Sequence, residues 1–307
     1  MPDLAALTRP LVLDGGLSTV LEQQGADLSG ALWTARLLGE EPQRIAAAHR
    51  SYFRAGAQVA TTASYQASVE GLGDDAARLI PLSVTIAREV RDSFDDPDLL
   101  VAASVGPYGA FLADGSEYRG QYGVPAARLR DFHAPRLELL AAAGPDLLAV
   151  ETIPDAAEAE VLVALLDELG VPAWFSYSVR GDATCAGQPL TDAYAVLSGC
   201  RAVVAAGVNC SEQDDVLGAV TAAVAATGLP AVAYPNRGGS WDPETKAWAY
   251  GDPVDLDLVE GWVAAGARLV GGCCGTGPED VAALAARVSV DPHLDDAGDG
   301  PGGDVRE

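Results

Sequence analysis

The chain has 307 residues, a formal charge of −25 and 49% hydrophobic residues. That size allows one large barrel-type domain or two smaller domains, each with enough apolar mass for a core. An acidic excess on this scale excludes nucleic acid and anionic membrane as partners, because few cations are left over to neutralise phosphates.

The same charge keeps a surface soluble. No apolar run reaches the roughly 20 residues of a transmembrane helix. The N-terminal stretch "MPDLAALTRPLVLDGG" has no basic segment ahead of an apolar one and no cleavage signature, so a cytoplasmic location is expected. An odd count of five cysteines is no disulfide scaffold and reads as thiols or metal ligands.

In chain order, short apolar runs alternate with longer helical segments. The runs are Leu11–Gly16, Gln58–Ser64, Leu99–Pro107, Leu147–Thr152, Ala173–Val179, Val203–Cys210, Pro230–Asn236 and Arg268–Cys274. Each is rich in apolar or β-branched residues and bounded by turn signals, the pattern of a strand buried on both faces. Between them the periodicity predicts helices over Pro42–Ala55, Asp75–Arg91, Pro125–Ala143, Asp155–Leu169, Glu212–Ala226, Leu256–Ala265 and Pro278–Val288. Several open with acids in the first turn, as in "PDAAEAE" and "GPEDVAAL".

Eight strands alternating with helices predict an α/β chain, a single-domain (β/α)8 TIM-type barrel. An open doubly wound sheet would carry a G-x-G-x-x-G loop after its first strand, and "DGGLST" lacks that spacing. The barrel domain is expected over 1–290. Two stretches fall outside the alternation. Residues 17–41 read as a long loop after the first strand, on the face where barrels build their sites. Residues 291–307, rich in Gly and Asp, read as a disordered acidic tail.

In a barrel the C-terminal strand ends converge on one face. Here those ends carry Asp14, Gly15 and Gly16; Thr62 and Ser64; Gly106, Pro107 and Tyr108; Glu151 and Thr152; Ser176; Asn209 and Cys210; Asn236; and Cys273 and Cys274. Three thiols on one face suit Zn²⁺, and three protein ligands leave an open fourth position, the catalytic pattern. The plainer alternative is that cysteines are small buried hydrophobes, the reading given to Cys185 and Cys200. Adjacent residues of a regular strand face opposite ways. For Cys273 and Cys274 to share an ion, the backbone at Gly272–Gly275 must leave β geometry. His49 and His133 fall in helical segments and are not expected as ligands.

The motifs "LDGG", "ET", "GVNC" and "GGCCGT" resemble the zinc-dependent homocysteine S-methyltransferase family. The resemblance spans about Leu11 to Val288 and extends to "ALW", "YFRAGAQVATTASYQAS", "SVGPYGAFLADGSEYRG" and "YPNRGG". It implies that Cys210, Cys273 and Cys274 bind Zn²⁺ and that the homocysteine thiol takes the open position. It implies that Asp14, Gly15, Gly16 and Glu151 contact the amino-acid part of homocysteine, with Thr62 and Ser64 completing that pocket.

Asn209 is placed beside a ligand as a supporting residue. Trp33, Tyr65 and Tyr108 are donor-side candidates, since aromatic faces attract a sulfonium. The long blocks look most like the branch using S-methylmethionine or S-adenosylmethionine. The implied reaction is methyl transfer to L-homocysteine, giving methionine, with small-molecule partners only. A betaine or other-donor thiol or selenol methyltransferase is the alternative within the enzyme class, and a non-catalytic zinc- or thiol-sensing barrel the alternative outside it.

Overall fold

The computed structural model describes residues 3–28, 33–242 and 247–289. Eight parallel strands form one sheet: β1 (Leu11–Val12), β2 (Val59–Thr61), β3 (Leu100–Val105), β4 (Leu147–Ile153), β5 (Ala173–Tyr177), β6 (Val203–Asn209), β7 (Ala231–Tyr234) and β8 (Ala267–Val270). The order around the sheet is β1-β8-β7-β6-β5-β4-β3-β2. A bridge between Leu13 and Val59 and the bond from Asp14 N to Val59 O bring β1 back to β2. The result is the TIM-type barrel that the alternation predicts.

The strand composition explains its two cores. Alternate residues point inward and outward. Leu11, Leu13, Val59, Leu100, Ala102, Leu147, Ala149, Trp174, Ala205, Val232, Tyr234 and Leu269 form one buried cluster. They are alternate residues along their strands, as the inward-facing layers of a closed barrel require. Their neighbours Val12, Ala103, Val105, Leu148, Val150, Phe175, Val208 and Val270 pack with the helices in a larger cluster. Both faces are therefore apolar, which is why the strands read as continuous runs.

All seven predicted helices are present, within a residue or two at their ends. Three features depart from the sequence reading. The stretch read as a loop over 17–41 carries helices Leu17–Gln23 and Trp33–Glu40. Each is short, and the glycines and acids around them mask the periodicity. Small antiparallel hairpins, Val179–Arg180 with Ala183–Thr184 and Gly239–Asp242 with Ala247–Tyr250, follow β5 and β7. The third feature is a short helix, Leu190–Ala195, between β5 and β6. The predicted tail over 291–307 lies outside the described residues. No helix among the described residues is long and apolar enough to cross a membrane.

A candidate thiol centre at the mouth of the barrel

The C-terminal strand ends surround a cavity of about 330 Å³. Its lining includes Asp14, Gly15, Gly16, Thr61, Thr62, Tyr65, Ser104, Glu117, Tyr118, Glu151, Tyr234 and the three cysteines of the GVNC and GGCC motifs. A larger groove of about 1130 Å³ lies at the opposite end, lined by Leu11, Leu99, Leu100 and Asp146 at strand N-termini. That end of a barrel serves stability, and the thiols are not there.

The ligand atoms of Cys210, Cys273 and Cys274 all lie within 4.8 Å of one another. Cys210 Sγ and Cys274 Sγ are 3.9 Å apart. Strand β8 ends at Val270, and Gly271–Cys273 has no regular structure before a turn at Cys274–Gly275. Gly275 has φ +82°. The backbone thus leaves β geometry where the paired cysteines require it. Cys273 N donates to Pro235 O at 2.7 Å and Cys274 N to Asn236 Oδ1 at 3.3 Å, so the loop after β7 fixes the turn.

Gly16 makes the seam on the other side. A Cβ there would sit 2.7 Å from Cys273 O, so only glycine lets the first loop approach this closely. Its amide is engaged with Thr276 O at 3.0 Å. Tyr52 clamps the seam, its hydroxyl donating to Gly16 O at 2.7 Å and lying 3.0 Å from Thr276 O.

Two residues beside the centre hold unusual backbone. Cys210 has φ +50° and Thr152 has φ +61°. A β-branched residue at positive φ is a true outlier and persists only where its surroundings impose it. Asn209 imposes it on Thr152. Its Oδ1 accepts from Thr152 N at 2.7 Å, and its Nδ2 donates to Thr152 Oγ1 at 2.7 Å. Ser176 Oγ donates to the same Oδ1 at 2.8 Å.

The acids are buried beneath the thiols. Asp14 accepts from Thr61 N and Thr61 Oγ1, both at 2.8 Å. Burial pushes its pKa up to about 8 despite these bonds. Glu151 accepts from Ser104 Oγ and, at 3.0 Å, from Tyr234 OH. Burial raises it to about 7. A cationic group placed beside them would favour the ionised form of both. Glu117 is raised to about 7, first by burial and then by the facing Cys210.

The predicted residues divide. Asp14, Gly15, Gly16, Thr62, Tyr65, Glu151 and the three cysteines line one cavity. Ser64 is fully buried, donating to Ser104 O at 2.7 Å and sharing a 2.7 Å bond with Thr62 Oγ1. Tyr108 packs edge-on against Tyr122 and Phe132, and its hydroxyl lies 3.3 Å from Arg128. Neither it nor Asn209 is among the cavity residues. The Trp33 side chain lies outside the described residues.

Cys185 and Cys200 are half-buried, not fully buried. His49 and His133 sit in helices Pro42–Arg54 and Ala126–Ala142, away from the thiols. Sequence reasoning missed Thr61, Ser104, Glu117, Tyr118 and Tyr234. Tyr234 ends β7 and was open to the strand-end argument. Glu117 and Tyr118 follow a short helix and had no such signal.

A metal fits this donor set. Three clustered sulfurs and four carboxylates line the cavity, and among the described residues no lysine or arginine does. Thiolates in that setting need a cation, and soft sulfur donors select a soft or borderline metal.

The fold and site together define a TIM-barrel enzyme with a three-cysteine centre at its catalytic face. The homocysteine S-methyltransferase family model matches residues 11–288, and the chain belongs to that family. It is 46% identical over 293 residues to the homocysteine S-methyltransferase of Escherichia coli K12, covering 90% of this chain and 94% of that one. It is 40% identical to a selenocysteine Se-methyltransferase of Brassica oleracea var. italica, covering 90% and 88%. The metallated E. coli homocysteine methyltransferase MmuM superposes with a TM-score of 0.82 at 43% identity, covering 91% of this chain and 96% of that chain. The chain is accordingly a methyltransferase.

Proposed function

We propose that this enzyme moves a methyl group from S-methylmethionine or S-adenosylmethionine to L-homocysteine, giving methionine, with Zn²⁺ held by Cys210, Cys273 and Cys274. The observation that carries the reading is the convergence of three sulfurs within 4.8 Å on the face where barrel enzymes act. Bound there, Zn²⁺ keeps the homocysteine sulfur as thiolate at neutral pH, where a free thiol of pKa about 8.5 is mostly protonated.

The chain's own residues do the rest. Asp14 and Glu151 hold the α-ammonium of homocysteine, a cation that offsets the burial of both carboxylates. Gly15, where a Cβ would lie 2.4 Å from Thr276 O, lets the first loop pack on that backbone at the cavity wall. Thr62 and Ser64 brace the Ser104 backbone, and Ser104 in turn orients Glu151. Asn209 sets the backbone on either side of the centre. Tyr65 lines the donor side, where its face can attract a sulfonium. The cavity orients the methyl group for in-line displacement, and positioning of this kind can supply a large share of the rate.

The similarity to the Brassica enzyme favours a second acceptor, a selenol such as selenocysteine, which would use the same centre. The test is methionine formation from homocysteine with S-methylmethionine, S-adenosylmethionine and betaine compared side by side, with selenocysteine as a further acceptor and zinc measured in the same preparation. Transfer from a sulfonium by zinc-loaded protein is expected. Full activity in metal-free protein would overturn the reading.

A further inference from the structure

We propose that Glu117 is the counter-charge that selects a cationic methyl donor over its neutral thioether product. The inference rests on the methyl-transfer reading above and assigns a specificity-determining residue to it. Glu117 lies in the turn of 3₁₀ helix Ser116–Tyr118, after β3 and the short helix Tyr108–Leu112. It lines the cavity next to Tyr118, whose hydroxyl is 3.6 Å from Cys210 Sγ.

The other three acids of the cavity divide by position, and Glu22 comes from helix Leu17–Gln23 of the first loop. Asp14 and Glu151 sit at the ends of β1 and β4, bonded to Thr61, Ser104 and Tyr234 from the barrel wall. They suit the amino-acid end of the acceptor. Glu117 comes instead from the loop after β3, beside Tyr118, whose hydroxyl is close to Cys210 Sγ. The donor sulfonium is assigned to that side. No lysine or arginine among the described residues lines the cavity, so a carboxylate there has none of their cations to pair with. A sulfonium placed beside it favours its ionised form.

The loop is built to hold Glu117 in place. A Cβ on Gly109 would lie 2.4 Å from Glu117 N and 2.6 Å from the Ser116 carbonyl carbon. Only a glycine lets the two turns pack this closely. Ser116 N donates to Asp114 Oδ1 at 2.9 Å, and Gln121 N donates to Asp155 Oδ2 at 2.8 Å beyond the turn.

The reaction supplies the reason for the charge. The homocysteine thiolate attacks the donor methyl carbon, a new S–CH₃ bond forms, and the electron pair of the old C–S bond returns to the donor sulfur. The sulfonium becomes a neutral thioether, with no net oxidation. A carboxylate beside the donor sulfur therefore attracts the donor and not the product. It stabilises the bound sulfonium more than the transition state, in which that positive charge is already fading. Its removal therefore raises donor KM and does not lower kcat.

The experiment uses the zinc-loaded full chain at saturating homocysteine. Donor KM for S-methylmethionine is compared with the Ki of methionine competing with the donor. Methionine differs from S-methylmethionine only by the methyl group and its charge, so the ratio isolates the sulfonium. Glu117→Gln is expected to raise donor KM by about tenfold or more, to leave methionine Ki and homocysteine KM unchanged, and to leave kcat unchanged or higher.

Glu117→Asp, which keeps the charge on a shorter arm, is expected to fall between. Equal weakening of donor and methionine would show that Glu117 holds the α-ammonium, and would overturn the proposal. An unchanged ratio in Glu117→Gln would overturn it as well. Absence of transfer from any sulfonium by the wild-type chain would instead remove the functional reading on which it rests.

Discussion

The carboxamide of Asn209 grips Thr152 at two points, N–H and hydroxyl, each at 2.7 Å, across a separation of 57 residues. This ties the end of β6 to the end of β4 and holds Thr152 at φ +61°. Asn209→Ala would leave the buried Thr152 amide without an acceptor. A loss of about 1–3 kcal/mol is expected, read by chemical denaturation of the metal-free protein. Zinc affinity should fall too, since Cys210 follows directly. Unchanged stability would mean that the strained turn supports itself.

Replacing any one of Cys210, Cys273 or Cys274 with Ser should abolish stoichiometric zinc and activity. The fold should persist, because the barrel core contains none of their sulfurs as a principal packing element. Metal analysis and circular dichroism on the same samples separate the two effects. A Cys273→Ser protein that keeps full activity would remove the centre from the mechanism.

Tyr234 bonds three partners at once: Glu151 Oε2 at 3.0 Å, Ser176 Oγ at 3.0 Å and Trp174 Nε1 at 2.9 Å. Tyr234→Phe frees the Glu151 carboxylate to turn. Homocysteine KM should rise by about tenfold, the effect of one hydrogen bond to a charged group. Zinc content should be normal. A change in zinc with no change in KM would place Tyr234 in the metal site's support instead.

Gly109→Ala would drive a methyl group into the backbone at Ser116–Glu117. Overpacking of this kind costs about 1–3 kcal/mol. Donor KM should rise as in Glu117→Gln while homocysteine KM stays, since the change displaces the loop and not the barrel. Steady-state kinetics with each substrate varied in turn make the comparison.

His49 is buried and neither ring nitrogen has a hydrogen-bond partner among the described residues. Burial lowers its pKa from the ordinary 6.5 to about 4. Between these values the unfolded chain binds a proton that the folded chain refuses. The stabilisation from keeping His49 neutral is complete above pH 6.5, declines as pH falls, and is gone near pH 4. His49→Leu removes this dependence. The stability difference between the two proteins should change by up to about 3 kcal/mol across that window. A flat difference would show that the ring is not held neutral.

The strand runs were legible because both faces of each strand are apolar, and the strand-end residues followed from the fold's geometry. The thiol cluster was legible for a different reason. "GVNC" and "GGCCGT" place sulfur at the ends of β6 and β8, and glycines around Cys273 and Cys274 signal an exit from the pleat. Other features had no local signature. The helices in 17–41 are too short to show a period.

Glu117 and Tyr118 reach the cavity through a turn whose path depends on Gly109 and Asp155, not on strand spacing. Tyr108 was a fair aromatic candidate by sequence, but its position at the first residue of a helix turns it into the packing around Phe132. Thr152 gives no sign in sequence of its positive φ. That conformation exists only because Asn209 holds it from another strand.

The separation of the thiols along the chain has a consequence for biosynthesis. Cys210 and Cys274 are 64 residues apart, and the seam that seats Cys273 joins residues separated by 224. At ~5–20 residues per second, a ribosome reaches Cys274 roughly 3–13 s after making Cys210. Throughout that interval Cys210 is a lone thiol without its two companions. Ion capture is therefore a closing event of maturation, and a nascent chain stalled before Gly272 would be a nearly complete barrel unable to load its metal.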